Sequence, residues 1–241
     1  MKGIAAAITM AAFSALICSA DIVPMVETVD FGNIHETDGP KTVRLYLRNE
    51  GTTPNAIIKV RPTCGCTAAD FQEEAIAPGD SAWIDLTYDP ANRPGKFEKG
   101  VRVYPMEGEM IRIPIQGIVF SSPETVERMF PVDAGLLHIT EQTLFTLSPL
   151  DSRERTLYID TYNSGDSPVW LKLESDYEAI QTQPFPSPLP PGEKGTVGIY
   201  LNPNKEPRSG TIDYTLRLLT STEAAGLDSA TPFIITIHSE K

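Results

Sequence analysis

The chain has little of what catalytic and metal sites are built from. Among 241 residues there are three cysteines and three histidines. The histidines, His35, His138 and His238, stand far apart in the sequence, with no G-x-S-x-G, H-E-x-x-H or phosphate-loop pattern around any of them. A zinc site wants about four ligands, and no second cysteine pair or His-rich segment supplies them. Cationic residues are also scarce. Twenty Lys and Arg against 32 Asp and Glu leave a formal charge of -12. Nucleic acid and anionic membrane surfaces both reward clustered Lys and Arg, so neither is expected as a partner. Acidic pairs such as those in "FQEEA" occur by chance in such a chain and are read as solvating surface. No enzyme activity and no cofactor are expected.

The long apolar run is confined to the start. Lys2 precedes an uncharged stretch from Ile4 to Ile17, and Cys18-Ser19-Ala20 offer the small residues of a cleavage site. The run is shorter than the roughly 20 residues a membrane span needs. Residues 1–20 are therefore read as a secretory signal peptide, with the mature chain starting near Asp21. The rival is a lipid anchor on Cys18, which Ile17 disfavours because a small residue belongs there. No transmembrane helix is expected. Cleavage after Ala20 would leave Cys64 and Cys66 as the only cysteines, in a compartment that permits disulfides.

Proline and glycine, 21 and 17 respectively, punctuate short alternating segments. In "TVRLYLRNEG", Val43, Leu45 and Leu47 share one face and Arg44, Tyr46 and Arg48 the other, the period of a half-buried strand. Ala56, Ile58 and Val60 read the same way. So do Ile84, Leu86 and Tyr88, then Val101 and Val103, then Ile111, Ile113 and Ile115. Turn residues such as Pro78-Gly79, Asp89-Pro90 and Arg93-Pro94-Gly95 close the segments.

The pattern repeats. "RNEGTTP" returns as "YNSGDSP", and "APGDSAWIDLTYDP" returns as "PPGEKGTVGIYLNP". Gly51 to Gly165 is 114 positions, while Gly79 to Gly192 and Pro90 to Pro203 are 113. Under that shift Ile84 falls on Val197, Leu86 on Ile199 and Tyr88 on Leu201. About seven short strands per hundred residues, with turns every 8 to 12, predict an all-β chain of two tandem immunoglobulin-like β-sandwich domains. The expected division is 21–119, a linker at 120–132 that includes a short helical turn, and 133–241.

"DFGNI", "NEGTTP", "RPTCGCT", "IAPGDSAWIDLTYDP", "RPGKFEKGVRVYP" and "IPIQGIV" together resemble the bacterial extracytoplasmic family catalogued as domain of unknown function 1573, over residues 29–119. The resemblance implies an immunoglobulin-like fold, similar to modules of the major sperm protein, pilus chaperone and cilium-associated type, and export from the cytoplasm to the periplasm or cell surface of a Gram-negative-type bacterium. It implies no activity. The second copy lacks the cysteines.

Four candidate features remain. Two cysteines at i and i+2 of an extended strand sit about 6.6 Å apart at Cα, at the edge of the 4.4 to 6.8 Å a disulfide spans. The structural reading leaves two forms open, a buried thiol pair and a local Cys64–Cys66 disulfide, the bridge coming within reach where Gly65 bends the chain through a positive φ. The alternatives are a redox-sensitive or partner-facing pair, and a Cu(I) site in which Met106 and Met110 join the two thiolates. Trp83 and Trp170 fall out of phase with their apolar neighbours, which puts them on outer sheet faces as candidate partner-binding residues, or packed on the other module. "FPSPLPP" reads as a rigid loop in preference to a polyproline ligand. Two functional classes stay open: an interaction or scaffold protein of the cell envelope with an unidentified protein partner, for which strand addition at sheet edges is one route, and a periplasmic redox or Cu(I)-handling protein centred on Cys64 and Cys66.

Overall fold

The structure, a computed structural model, describes residues 22–147, 155–202, 204–205 and 210–240. The expected signal segment and Cys18 lie outside the described residues. The first 120 residues supply β1 (Ile22–Pro24), β2 (Val29–His35), β3 (Lys41–Asn49), β4 (Ile57–Pro62), β5 (Thr67–Phe71), β6 (Ser81–Tyr88), β7 (Gly95–Pro105) and β8 (Ile111–Phe120). They form two four-stranded sheets, β1-β3-β6-β5 and β2-β8-β7-β4. A helix, α1 (Pro123–Met129), follows. After it come β9 (Val132–Asp133), β10 (His138–Ile139), β11 (Thr143–Leu147), β12 (Arg155–Tyr162), β13 (Trp170–Ser175), β14 (Ile180–Phe185), β15 (Lys194–Leu201), β16 (Thr211–Ser221) and β17 (Phe233–Glu240). These make the sheets β14-β15-β12-β10-β9 and β11-β17-β16-β13. The chain is all-β, two sandwiches in tandem.

Alternation explains each core. On β6, Ala82, Ile84, Leu86 and Tyr88 are buried while Trp83, Asp85 and Thr87 face outward. They meet Phe31, Val101, Val103, Ile113 and Ile115 of the opposite sheet. Tyr88 and Phe97 stack with ring centroids 3.9 Å apart, and Phe31 tilts against both. Truncating one of these residues, Leu86→Ala for example, would cost about 2–5 kcal/mol. The second core repeats the arrangement with Val197, Ile199, Leu201, Leu216, Leu218, Ile235 and Ile237.

One strand departs from the alternation. Ile58 is 61% exposed and its neighbour Ile57 is buried, the reverse of the expected face. The β4–β7 register shifts between Ile57 and Lys59, so a bulge turns the face over by one residue. Val60, beyond the bulge, returns to the core side.

The repeated turn has a physical reason. Asn49 is fully buried. Its Nδ2 donates to the carbonyls of Thr53 (2.8 Å) and Ile76 (2.9 Å), and its Oδ1 accepts from Gly51 N (2.9 Å). Asn163 makes the same set with Ser167 (2.8 Å), Leu189 (2.9 Å) and Gly165 N (3.0 Å). In each sandwich a buried amide that satisfies three backbone groups ties the end of a strand to the turn after it and to a more distant loop residue.

The sandwiches meet at α1. Ser122 caps it, accepting from Thr125 N, and Pro123 occupies the first helical turn. Val126 and Phe130 pack on Tyr162 of β12, with the rings of Phe130 and Tyr162 stacked at 5.4 Å. The Tyr162 hydroxyl accepts from Ser121 N at 2.9 Å. On the first-module side the Glu36 carboxylate accepts from Asn92 N, Ser122 N and Thr125 Oγ1 at 2.7 to 2.9 Å. Partial burial pushes the Glu36 carboxyl up, but these hydrogen bonds, with Arg128 nearby, outweigh it and hold the group below its ordinary value. Phe120 lies so close to Gly192 that a Cβ there would come within 2.8 Å of its ring.

Candidate functional site

The Cys64–Cys66 pair lies in the turn between β4 and β5, not within a strand. Thr63 fastens the turn to β7: its N donates to Gly100 O at 2.8 Å and its Oγ1 accepts from Gly100 N at 3.1 Å. Cys66 O accepts from Asp89 N at 2.9 Å. Between these anchors the two cysteines are joined by a disulfide, with their Cα atoms 5.3 Å apart. That is shorter than an extended Cys-Gly-Cys would give. Gly65 makes the bend without a positive φ and with no atom within 4 Å of where a Cβ would sit, so the expected dependence on left-handed backbone is corrected. The turn geometry comes from the anchors on either side. The Thr67 hydroxyl lies 3.5 Å from Cys64 Sγ and 3.9 Å from Cys66 Sγ. A bridged sulfur carries no proton, so the hydroxyl is the donor.

Cys66 is buried and Cys64 half-buried. The bridge borders an open hollow of about 640 Å³. Around it stand Arg93 from the β6–β7 turn, Lys96 and Lys99 of β7, Lys194 of β15 and Met129 at the end of α1. The hollow therefore draws on both sandwiches and the helix between them. Lys96 pairs with Glu98 at 2.8 Å, which raises the ammonium and lowers the carboxyl relative to their ordinary values. Asn92, at φ 59, turns the chain before Arg93. Arg128 of α1 donates to the Asn92 side chain. In a chain of net charge -12, four cations and the one carboxylate of Glu98 line this hollow, and Arg93 also pairs with Asp89 at 3.5 Å.

The copper set is not assembled. Met106 sits at the far end of β7, where its N donates to Ala56 O, and six residues of strand from Gly100 place it about 20 Å away. Met110 follows in the same distal hairpin. The thioether beside the cysteines is that of Met129, which no sequence spacing connects to "CGC". Among the described residues no group of three or more His, Cys, Asp or Glu could hold a metal ion. The three histidines sit on β2, β10 and β17.

Trp83 is on the outer face of β6 and half-buried. The Arg44 guanidinium lies 4.6 Å above its ring and is held there by two hydrogen bonds of 2.6 Å to Asp85. The outer face is thus covered by a cation. Trp170 opens the edge strand β13, also half-buried. The two tryptophans belong to different modules. "FPSPLPP" leaves β14 as a bent loop with two cis X-Pro bonds and reenters at the Val169–Leu189 bridge, with Leu189 fully buried. It is not a polyproline helix.

The fold defines a class, tandem immunoglobulin-like β-sandwiches with a cysteine-bearing first module. Residues 23–119 match the family model described as Protein of unknown function (DUF1573), and over that span the family resemblance is shown. No functionally curated protein matches the chain. Among solved structures, a protein of unknown function from Porphyromonas gingivalis W83 is 15% identical, with 91% of this chain and 99% of that one covered and a TM-score of 0.38. The CupB2 chaperone of Pseudomonas aeruginosa is 12% identical over 89% and 98%, TM-score 0.30. A PapD-like domain of human CEP192 is 11% identical over 50% and 99%, TM-score 0.36. No helix among the described residues is long and apolar enough to cross a membrane.

Proposed function

We propose that the chain is an exported, non-enzymatic interaction module of the bacterial cell envelope, and that the hollow beside the Cys64–Cys66 turn receives an acidic segment of a partner protein. One observation carries this: Arg93, Lys96, Lys99 and Lys194 converge from two sandwiches on one open hollow, although acidic residues outnumber basic ones 32 to 20 in the chain as a whole. Complementary charge steers encounter and fixes register. The disulfide and the Thr63 anchors hold the floor of the hollow, and α1 with Glu36 holds its two halves together.

The test is a photoreactive residue in place of Lys99, in the full chain expressed with its own N-terminus. The expected result is a processed chain starting near Asp21 in the envelope fraction, cross-linked to a discrete protein, with the adduct lost on Lys194→Glu. An unprocessed chain in the cytosol, or no protein adduct, overturns the proposal.

A second reading is favoured by the same cations. They would stabilise thiolates, and Cys64 is reachable from the hollow, so the bridge suits two-electron exchange with a partner dithiol, one disulfide being reduced as the other forms. Structural bridges have potentials below about -300 mV. A redox titration that places Cys64–Cys66 well above that value favours exchange, and one at or below it favours the docking role alone.

A further inference from the structure

The outer face of the second module carries a different surface. The β12–β15–β14 register sets nine outward positions in three rows: Thr156, Tyr200 and Gln181; Tyr158, Gly198 and Gln183; Asp160, Thr196 and Phe185. At strand spacings of about 4.8 Å and residue rises of about 3.3 Å, the grid covers about 10 by 13 Å. Its centre is Gly198, which has no side chain. The consequence is an open hollow of about 670 Å³ over the middle strand.

Three rings stand around that glycine. Tyr158 faces it from β12, Tyr200 lies two residues along β15, and Phe185 sits diagonally on β14. Tyr158 and Phe185 are 62% and 74% exposed, far more than an aromatic ring with a role in the core would be. Between the rings are neutral donors and acceptors, the amides of Gln181 and Gln183 and the hydroxyls of Thr156 and Thr196. No charged side chain lines the hollow. Asp160, at the corner, accepts from Thr196 Oγ1 at 2.8 Å.

The first module shows what this face looks like when closed. Under the internal repeat Ile84 corresponds to Val197, and the pairing Leu45↔Ile84 corresponds to Ile159↔Val197. Arg44 and Asp85 therefore stand where the second module has Tyr158 and Gly198. Their two hydrogen bonds and the Arg44–Trp83 stack fill the place of the hollow.

We propose that the outer face of β12, β15 and β14 binds a neutral glycan, with sugar rings lying on Tyr158, Tyr200 and Phe185 and their hydroxyls bonded to Gln181, Gln183 and Thr156. The charge balance selects this occupant. A lining with no ionic group, in a chain of net charge -12, offers nothing to an acidic polymer and no counter-charge to a basic one. Protein-binding patches also use aromatic anchors, but the rings here alternate with neutral amides and hydroxyls, and the arginine and methionine that accompany aromatics at protein interfaces are missing from the lining. Peptide capture by strand addition would use the free edge of β14, but Pro184 has no N–H to donate there. A hydroxyl-rich ligand with apolar ring faces meets all three conditions. The site is independent of the Cys64–Cys66 hollow, and either proposal can fail without the other.

The test is affinity electrophoresis of the full mature chain through gels containing mannan, laminarin, xyloglucan or dextran, with polygalacturonate as the acidic comparison. At least one neutral polysaccharide should retard the chain. Tyr158→Ala should weaken the retardation tenfold or more. Gly198→Val should abolish it by filling the hollow, and a Cβ there meets only Gln183 O at 3.6 Å and Tyr158 Cε1 at 3.8 Å, so the thermal midpoint should hold. Retardation by no neutral polysaccharide, retardation by polygalacturonate instead, or retardation insensitive to both substitutions overturns the proposal.

Discussion

Asn49→Ala tests the reading that a buried amide fixes each sandwich. The side chain makes three hydrogen bonds to backbone groups, each worth about 0.5–1.5 kcal/mol net, with about 1–3 kcal/mol lost when a buried partner is left unpaired. Ile76 is buried and so is Gly51, so neither regains a water easily. The expected loss is about 3–4 kcal/mol. Each module holds one tryptophan, Trp83 in the first and Trp170 in the second, so urea unfolding followed by fluorescence can be read module by module. In a Trp170→Phe background the Trp83 transition of Asn49→Ala should move down by about 1–4 M urea, given slopes of about 1–3 kcal/mol/M. Asn163→Ala, read by Trp170 in a Trp83→Phe background, should show a matching shift, because its three partners are the same groups at the repeat offset. A loss below about 1 kcal/mol at both sites would refute the reasoning, since the three bonds would then contribute no more than one.

The Cys64→Ser/Cys66→Ser double variant should lose at most about 1.6 kcal/mol in chemical unfolding, because the bridge closes a loop of only three residues; failure to fold would show that the turn depends on the bridge and not on Thr63 and Asp89. Gly65→Ala should be neutral within about 0.5 kcal/mol and keep its disulfide, as read by thiol alkylation and mass, since its φ is not positive and nothing crowds the position. Gly117→Ala should instead cost about 1–3 kcal/mol, because a Cβ there lies 2.8 Å from the Phe97 ring and 3.0 Å from Gly32 O. Glu36 is held below its ordinary value of about 4.3, so its contribution is complete above that pH and is lost as pH falls through the lower folded value. The thermal midpoint gap between the parent and Glu36→Gln should therefore be widest above pH 5 and close toward pH 3; a gap that grows on acidification would contradict the hydrogen-bond reading.

Strand faces were legible because alternation is a local property. Val43 to Leu47 and Ile84 to Tyr88 announce their inward sides from sequence alone, and the 113-residue offset carried the same reading into the second module. Ile58 was misread because a bulge is a mismatch between two strands, and "AIIKV" contains only one of them. The cysteine turn was legible as a pair and illegible as a place. Lys99 is adjacent to it through the Thr63–Gly100 hydrogen bonds, and Lys194 through packing of one sandwich on the other, where it lies against Gly95. Neither relation leaves a mark at short range. Asn49 was legible within the repeated "RNEG" only as part of a recurring string; its burial was not, because a polar residue at the end of a strand normally signals solvent.

The repeat also separates what the fold requires from what each copy can vary. Asn49 and Asn163 make the same three bonds and the apolar faces coincide, so those positions are constrained twice over by packing. The outward positions carry no such duty, and there the copies differ in kind: Arg44 and Asp85 close a face that Tyr158 and Gly198 leave open. The cysteine turn differs in the same sense, present in the first copy and absent from the second. If outward residues were only solubilising, charged side chains would serve at Gly198 and Phe185 as well as they do at Asp85. A glycine at the centre of a middle strand weakens the strand by about 0.5–1 kcal/mol relative to alanine, and a 74% exposed phenylalanine leaves apolar area in water at about 25 cal/mol per Å². Both act against stability at one spot, and a ligand seated in the hollow that Gly198 leaves open would take the Phe185 ring out of water.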